Sequence, residues 1–367
     1  MRRTISAATL FMVTLGAVLF AADNWPQGRG PELEGRRAEV GLARSWSAGT
    51  NIAAKLPTHS RTGSTPIIWG DTILPIVATA EFIGNLELWA VDRNNQTVIW
   101  KKPLGPGNKA GRKQKMSSPS PVTDGRMVWV MTGTGIVKAF DVAGTEKWTR
   151  DIQEDHGAFV LGFGHASSPL LLDGDLIVQV LHGAQTDDPS YVLRIDGATG
   201  KTEWKAERPA DARLEPPAAD TTATVVHSGR RSEIVITGDD VANAPNYRLI
   251  AAPIVWKGIE ITPPRLQPMR TLDVANGAGG RPKTPWSFDQ GVDIPPPGTD
   301  GSLLYIVRNN GATFALDLAT GEVVDDPERL PPGIFSGSPA LADDHIYVTT
   351  DEGVTSVYSG SDVRARR

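Results

Sequence analysis

Hydrophobic and polar residues alternate in short runs through most of the chain, and one stretch shows the pattern most clearly. An apolar run begins at Ser168-Pro169, turns at Asp173-Gly174-Asp175 and continues through Leu176–Leu181. After a polar break, a second apolar run covers Tyr191–Ile195, and a Gly-containing turn leads to a run that ends at Trp204. Short β-rich runs bounded by Asp-Gly turns are typical of antiparallel hairpins. The stretch therefore predicts one antiparallel sheet made of consecutive strands.

The first half of this pattern recurs along the chain as a small residue, a proline, an apolar run, a turn and a second apolar run. The prolines that open it are Pro66, Pro121, Pro169, Pro253, Pro297 and Pro339. Their spacing is 42–55 residues, apart from one interval of 84 residues between Pro169 and Pro253, which is two units long. That interval holds a degenerate hairpin at 221–237 that lacks its second half. The pattern predicts seven units.

The second half of the pattern recurs as an aspartate, a tight turn and a tryptophan. Its residues are Asp92, Trp100, Asp141, Trp148, Asp196, Gly200, Trp204, Asp317 and Gly321, and Asp325 stands where the last tryptophan belongs. An aspartate at the head of a turn accepts hydrogen bonds from the backbone two residues on, and glycine permits a positive φ. A tryptophan on the last strand would pack between neighbouring sheets.

A four-stranded unit of about 40–50 residues that repeats radially is a β-propeller blade. A solenoid is the competing repeat fold, but its units are usually shorter and lack a four-strand rhythm. We therefore expect an all-β fold, a β-propeller of about seven four-stranded blades, with eight as the alternative. The fourth blade should be the weakest.

The repeats resemble the quinoprotein-type (PQQ-like) propeller repeat, whose hallmark is A-x-D-x-x-T-G-x-x-x-W. Asp196, Thr199, Gly200 and Trp204 match it at the expected spacing. The chain from about 24 to 358 is similar to secreted bacterial proteins with such repeats and, by analogy, to the BamB lipoproteins of outer-membrane barrel assembly. The resemblance implies an exported propeller that binds other proteins.

Four segments are expected along the chain. Residues 1–22 have two arginines followed by an apolar run and are predicted to be a signal peptide. Residues 23–62 form an N-terminal segment whose strand-like part, Asn51–Leu56, is predicted to complete the last blade, because that blade lacks its aspartate–tryptophan half. Residues 63–360 form the propeller, and 361–367 a polar tail.

The cysteine count and the net charge exclude several classes of function. The chain has no cysteine, which excludes disulfides and the lipid-modified cysteine of a lipoprotein, so no lipid anchor is expected. The net charge is −5, and the one short basic run, at 109–115, is interpreted as a solvated loop, with an anionic-ligand loop as the alternative. We expect no nucleic-acid partner, and we expect a monomer that is periplasmic or extracellular.

The resemblance also raises an enzymatic alternative. Quinoprotein dehydrogenases hold pyrroloquinoline quinone (PQQ) on the propeller axis beside calcium, with an aspartate as base and a vicinal disulfide over the quinone. This chain has no cysteine, and no set of its residues matches that pattern. PQQ and calcium are therefore not expected as cofactors, and no catalytic residue is assigned.

Three histidines are the best ligand candidates in the sequence: His156, His165 and His182. Their spacing matches no zinc signature. The alternative interpretation is that they are strand-end residues whose rings pack while one nitrogen bonds a carbonyl.

Two functions follow. The first is a noncatalytic exported scaffold that binds a protein or peptide partner from the envelope or the extracellular space. The alternative is a quinone-dependent oxidoreductase or small-molecule binder that uses the central channel.

Overall fold

The structure is a computed structural model, and its described residues form an all-β fold. They are 24–60, 62–80, 84–107, 116–159, 165–180, 189–208, 221–228, 231–236, 251–262, 268–274, 284–292 and 294–360. Within them the strands form seven antiparallel sheets, which follow one another along the chain.

The first sheet has five strands, and the second and third have four each. The first contains β1 (Ile67–Trp69), β2 (Thr72–Leu74), β3 (Ile76–Ala78), β4 (Asn85–Asp92) and β5 (Val98–Pro106). The second contains β6 (Val122–Thr123), β7 (Met127–Met131), β8 (Ile136–Asp141) and β9 (Glu146–Asp151), and the third β10 (Leu170–Leu172), β11 (Asp175–Val180), β12 (Ser190–Ile195) and β13 (Thr202–Arg208). Strands β2 and β3 both pair with β4 and are separated by Pro75, which has no N–H to donate to a ladder.

The fifth and sixth sheets also have four strands each, whereas the fourth has two and the seventh three. The fourth contains β14 (Thr224–Ser228) and β15 (Arg231–Val235), and the fifth β16 (Ile254–Trp256), β17 (Ile259–Thr262), β18 (Met269–Asp273) and β19 (Ser287–Phe288). The sixth contains β20 (Gly298–Thr299), β21 (Leu303–Val307), β22 (Ala312–Asp317) and β23 (Val323–Arg329), and the seventh β24 (Ala340–Ala342), β25 (His345–Thr349) and β26 (Thr355–Ser359). The two-stranded fourth sheet coincides with the unit whose aspartate–tryptophan half is missing from the sequence.

The residue before each of the first three repeated prolines, Pro66, Pro121 and Pro169, links neighbouring sheets. The N–H of Thr65 donates to Ser120 Oγ at 2.9 Å, and the N–H of Ser120 donates to Ser168 Oγ at 2.9 Å. The N–H of Ser168 then donates to Thr222 Oγ1 at 3.1 Å. These residues precede the first strands of successive sheets, so the bonds form a ladder along the inner edges of the first four sheets. The acceptor role of the hydroxyl explains the serines before Pro121 and Pro169.

The hydrophobic core lies between sheets rather than within them. Apolar residues of the first and second sheets share one cluster, and those of the second and third share another. Further clusters join the fifth sheet to the sixth and the sixth to the seventh. This is the face-to-face packing that a propeller requires, because a single four-stranded sheet cannot bury both of its faces.

The closing strand predicted at Asn51–Leu56 does not form in the structure. This part of the chain is irregular and exposed, and it carries few large apolar side chains that could be buried on a sheet. An earlier part of the N-terminal segment contacts the seventh sheet instead. Arg36 forms a parallel bridge with Leu341 of β24, which is the edge strand opposite β26. Ring closure and the blade count therefore stay predictions.

One short helix, α1 (Ile152–His156), follows β9 and was not expected from the sequence. Asp151 caps it by accepting hydrogen bonds from the backbone N–H groups of Gln153 and Glu154. A helix of five residues is too short for hydrophobic periodicity to reveal it. Across the described ranges, no helix has the length and apolar character needed to cross a bilayer. The predicted signal peptide and the polar tail lie outside the described residues.

Candidate functional site

Two of the repeated tryptophans, Trp148 and Trp100, connect their own sheet to the turn of the next sheet. Trp148 Nε1 donates to Gly197 O at 2.9 Å, and its ring lies over Gly200, whose φ is +75°. A Cβ built on Gly200 would lie 2.7 Å from that ring. Trp100 makes the same contacts with Val142 O, at 3.2 Å, and with Gly144. These residues hold neighbouring sheets together.

A tryptophan that the repeat pattern missed has the same role. Trp286 Nε1 donates to Leu318 O at 3.2 Å, and the ring lies over Gly321. The preceding aspartate and turn of this unit depart from the pattern, so spacing alone did not reveal Trp286. Trp204, which the pattern did predict, packs in the cluster shared by the third and fourth sheets.

The repeated aspartates cap their own turns. Asp196 Oδ1 accepts hydrogen bonds from Thr199 N at 2.6 Å and Thr199 Oγ1 at 2.7 Å, and Asp317 Oδ1 accepts from Ala319 N and Thr320 N. Asp92 accepts from the backbone of the following turn in the same way. The hydrogen bond from Lys147 holds the pKa of the Asp141 carboxyl down at about 2. These carboxylates are occupied with turn formation.

Two of the three predicted histidines lie in the described residues, and each packs on an aromatic ring. His165 is buried, its Nε2 lies 2.9 Å from Gln179 O, and its ring stacks on Phe159 at 5.4 Å. His156 ends α1 and its ring centroid lies 5.4 Å from that of Tyr191. Burial lowers the pKa of His165 to about 4, so the ring is neutral at physiological pH. His182 lies outside the described residues.

The region around His165 is polar as well as buried. Ser117 and Ser167 are fully buried, and a Cβ on Gly133 would touch both His165 O and the Cα of Met116, the neighbour of Ser117. The described residues offer no hydrogen-bond partner to Ser117 Oγ, Ser167 Oγ or His165 Nδ1. His165 thus packs as the alternative interpretation describes: its ring is buried and its Nε2 lies beside a backbone carbonyl. Its Nδ1 has no hydrogen-bond partner among the described residues.

One group of three carboxylates could in principle hold a cation: Asp175, Asp196 and Glu203, at the turn end of the third sheet. Arg194 already lies among them, with its guanidinium bonded to Asp175 and 2.8 Å from Glu203. A cation there would compete with the guanidinium. Among the described residues this group does not fit a quinone–calcium site, and no catalytic step is assigned to it.

The N-terminal segment runs along the inner strands of several sheets. Trp25 exchanges two backbone hydrogen bonds with Ile68 of β1, at 2.8 and 2.9 Å. Thr123 N of the second sheet donates to Pro26 O at 2.9 Å, and Leu341 N of the seventh sheet donates to Gly35 O at 2.9 Å. Residues 24–37, called the inner segment below, therefore reach both the first and the last sheets from the inside.

Arg29 anchors the inner segment to the sixth sheet. Its Nε donates to Leu33 O at 2.9 Å and its Nη2 donates to Pro297 O at 2.8 Å. Burial lowers the pKa of the guanidinium to about 10. Leu33 packs against the cluster of the third and fourth sheets, so the inner segment also contacts the middle of the sheet array.

The outer surface carries exposed apolar side chains on residues 38–60, called the arm below. They are Val40, Leu42, Trp46, Ile52 and Leu56. The arm is tied to the seventh sheet by the N–H of Gly41, which donates to Asp343 Oδ2 at 2.9 Å. A cleft of about 650 Å³ lies between Arg44 of the arm and the end of β26.

The chain is similar to known proteins along most of its length. The sequence profile of the family described as outer membrane protein assembly factor BamB matches residues 38–206 and 84–243. The crystal structure of BamB from Moraxella catarrhalis aligns with a TM-score of 0.54 at 13% identity, over 81% of this chain and 94% of that chain. This similarity supports the propeller fold.

Quinoprotein enzymes align less closely. A europium-containing methanol dehydrogenase aligns with a TM-score of 0.48 at 11% identity, over 91% of this chain and 89% of that chain. A quinohemoprotein alcohol dehydrogenase from Comamonas testosteroni aligns with a TM-score of 0.45 at 13% identity, over 92% of this chain and 52% of that chain. No curated protein sequence matches the chain significantly.

Proposed function

Because the chain belongs to the family of the outer membrane protein assembly factor BamB, we propose that it is a noncatalytic, exported β-propeller scaffold that binds a protein or peptide partner. The family description names the assembly of outer-membrane proteins, so the partner class we propose is an envelope protein that takes part in that process. Export and a monomeric state are parts of the same proposal.

The position of the inner segment is the observation that carries the proposal. A quinone or other small molecule on the propeller axis would need the space between the inner strands. The inner segment hydrogen-bonds to inner strands of the first, second and seventh sheets, and Arg29 bonds Pro297, which precedes the first strand of the sixth. Binding on the axis would have to displace these contacts. Binding on the outer surface would leave them in place.

The same contacts lead us to propose how a seven-bladed ring closes. The inner segment bonds Ile68 in the first sheet and Leu341 in the seventh, so it joins the two ends of the repeat array. This arrangement replaces the closing strand that the sequence predicted on the outer side of the last blade.

Affinity capture with the intact chain from the native envelope tests the function, with a quinone assay as its counterpart. We expect one envelope protein to co-purify at a constant ratio to the chain. We also expect that purified protein supplied with PQQ and calcium neither retains the quinone nor oxidises alcohols. Recovery of the chain alone, together with alcohol oxidation that requires PQQ, would establish the enzymatic alternative instead.

A further inference from the structure

A cleft of about 660 Å³ lies on the sixth sheet, between the turn that joins β21 to β22 and the segment that follows β23. It is called the proline cleft below, and it is bounded by Asn309 and Asn310 on the turn and by residues 329–334 on the segment. Sites that bind ligands usually have volumes of about 300–1,000 Å³. The proline cleft is therefore large enough to take a side chain of a bound partner.

Hydrogen bonds hold the walls of the proline cleft in place. Phe335 N donates to Asn309 O at 3.0 Å, and Asn309 Nδ2 donates to Phe335 O at 3.0 Å. Asp351 N, from the turn of the neighbouring sheet, donates to Ile334 O at 2.8 Å. Two consecutive prolines fix the backbone φ in the middle of the segment. Walls that are already ordered lose little freedom when a ligand binds, which favours binding.

One wall of the proline cleft is apolar and open to solvent. Ile334 is 52% exposed, and Pro331 and Pro332 are exposed beside it. The next residue, Phe335, is fully buried and packs in the cluster shared by the sixth and seventh sheets, so it anchors the segment that presents these side chains. A preformed, exposed apolar wall is suited to the aromatic side chains that most often anchor a protein interface.

The proline cleft also carries hydrogen-bond donors that the fold does not use. Arg329 is exposed and forms no ion pair within the part of the chain that the structure describes. Asn310 Oδ1 accepts from Ala312 N at 3.1 Å, while Asn310 Nδ2 has no acceptor among the described residues. No aspartate or glutamate is among the described residues that line the cleft. A guanidinium and an amide N–H in one cleft are suited to bind a carboxylate.

We propose that the proline cleft binds an acidic segment of the partner protein, with an aromatic side chain against Ile334 and the two prolines and a carboxylate on Arg329 and Asn310. This inference rests on the proposed scaffold function and adds the chemistry of one contact with the partner. Charge complementarity selects the occupant, because the charged residue among the described lining residues is a cation.

N-acetyl-phenylalanine is the probe for this site, because it carries one aromatic ring and one carboxylate. The measurement is an NMR titration of the intact purified chain that follows the methyl signals of Ile334 and the side-chain amide of Asn310. We expect both to shift with a dissociation constant on the order of 1 mM. Phenylalanine blocked at both ends lacks the charge and acetate lacks the ring, so each should bind at least about tenfold more weakly.

Two pairs of variants provide matched controls. Arg329→Gln removes the cation and should weaken binding of N-acetyl-phenylalanine about tenfold. Arg308→Gln, on the same sheet but outside the cleft, should leave binding unchanged. Ile334→Ser should weaken binding as well, whereas Val354→Ser, at a 59% exposed position in the neighbouring turn, should not. The comparison of the three ligands on the wild type needs no variant, so it stands even if one of the variants folds poorly.

Capture from the native envelope connects the proline cleft to the partner. We expect the double variant with Arg329→Gln and Ile334→Ser to lose the envelope protein that the wild type captures. The control double variant with Arg308→Gln and Val354→Ser should retain that protein, because neither of its changes lies in the cleft.

Four results would overturn the inference. N-acetyl-phenylalanine produces no shift at Ile334; or the uncharged ligand binds equally well; or vesicles of phosphatidylglycerol shift the same signals at lower concentration; or the signals shift with protein concentration together with dimer formation. Equal capture by the two double variants would also overturn it while leaving the scaffold function standing. Failure of capture by the wild type would count against the scaffold function itself and, with it, against the partner named in this inference.

Discussion

At the scale of single residues, contacts between tryptophan and glycine determine how the sheets fit together. Trp148, Trp100 and Trp286 each donate a hydrogen bond to the turn of the following sheet and cover a glycine in that turn. The sequence revealed the positive φ of Gly200, because Asp-x-x-x-Gly turns favour it. It did not reveal that the same glycine must also lack a Cβ, because that depends on Trp148, about 50 residues earlier.

Gly200→Ala separates the two requirements. An alanine there adopts an unfavourable φ, which costs about 1–2 kcal/mol, and its Cβ meets the Trp148 ring. Gly174 has a φ of +89° with nothing within 4 Å of a Cβ, so Gly174→Ala should carry the φ cost alone. We expect the free energy of unfolding, measured by denaturant titration, to fall further for Gly200→Ala. Equal losses of unfolding free energy in the two variants would show that the contact between Gly200 and the Trp148 ring does not contribute to stability.

His165 predicts a pH dependence of stability. Burial lowers its pKa from 6.5 in the unfolded chain to about 4 in the fold. Between these values the unfolded state binds the proton and the folded state does not, so the free energy of unfolding falls as pH falls from about 6.5 to 4. The total loss should be about 3 kcal/mol. The loss is complete once the pH drops below the folded pKa.

Denaturant midpoints across that pH range provide the check. His165→Gln should flatten the dependence between pH 6.5 and 4, whereas His156→Gln, at a half-buried position, should flatten it less. An unchanged slope in His165→Gln would mean that His165 titrates normally in the fold. Zinc titration of the same variants tests the ligand role of the histidines, and we expect no tight binding to the wild type.

At the scale of elements, the inner segment links the two ends of the sheet array. Its backbone bonds to Ile68, Thr123 and Leu341 hold the first, second and seventh sheets from the inside. A chain that starts at Ala38 should lose about 3–6 kcal/mol of unfolding free energy, at about 1 kcal/mol for each hydrogen bond. The amides of Ile68 and Leu341 should also exchange faster.

The arm gives the matched control for that deletion. Replacing residues 38–60 with a Gly-Ser linker of the same length removes exposed chain and should leave the unfolding midpoint nearly unchanged. If loss of the inner segment is as mild as loss of the arm, the ring ends are held together by other contacts.

At the scale of the whole molecule, the repeat revealed the class of fold because its strand rhythm and turns are local features. The closing strand was misplaced because the attachment of Arg36 to Leu341 joins residues about 300 positions apart and leaves no spacing to read. Trp286 was missed for a related reason: its partner turn is regular, but its own unit is not. The contacts of the inner segment and of Trp286 likewise join residues far apart in sequence, whereas the turn aspartates and glycines could be located because their pattern is local.

The central claim is that the chain is a scaffold that binds a protein partner on its outer surface, where the arm exposes apolar side chains. Site-specific photocrosslinking in the native envelope tests it most directly, with a photoreactive residue in place of Trp46 on the arm and, as control, in place of Ile99, which is 56% exposed on the first sheet. We predict one discrete crosslinked protein from position 46 and none from position 99. No crosslink from position 46, or the same crosslinks from both positions, would contradict the claim.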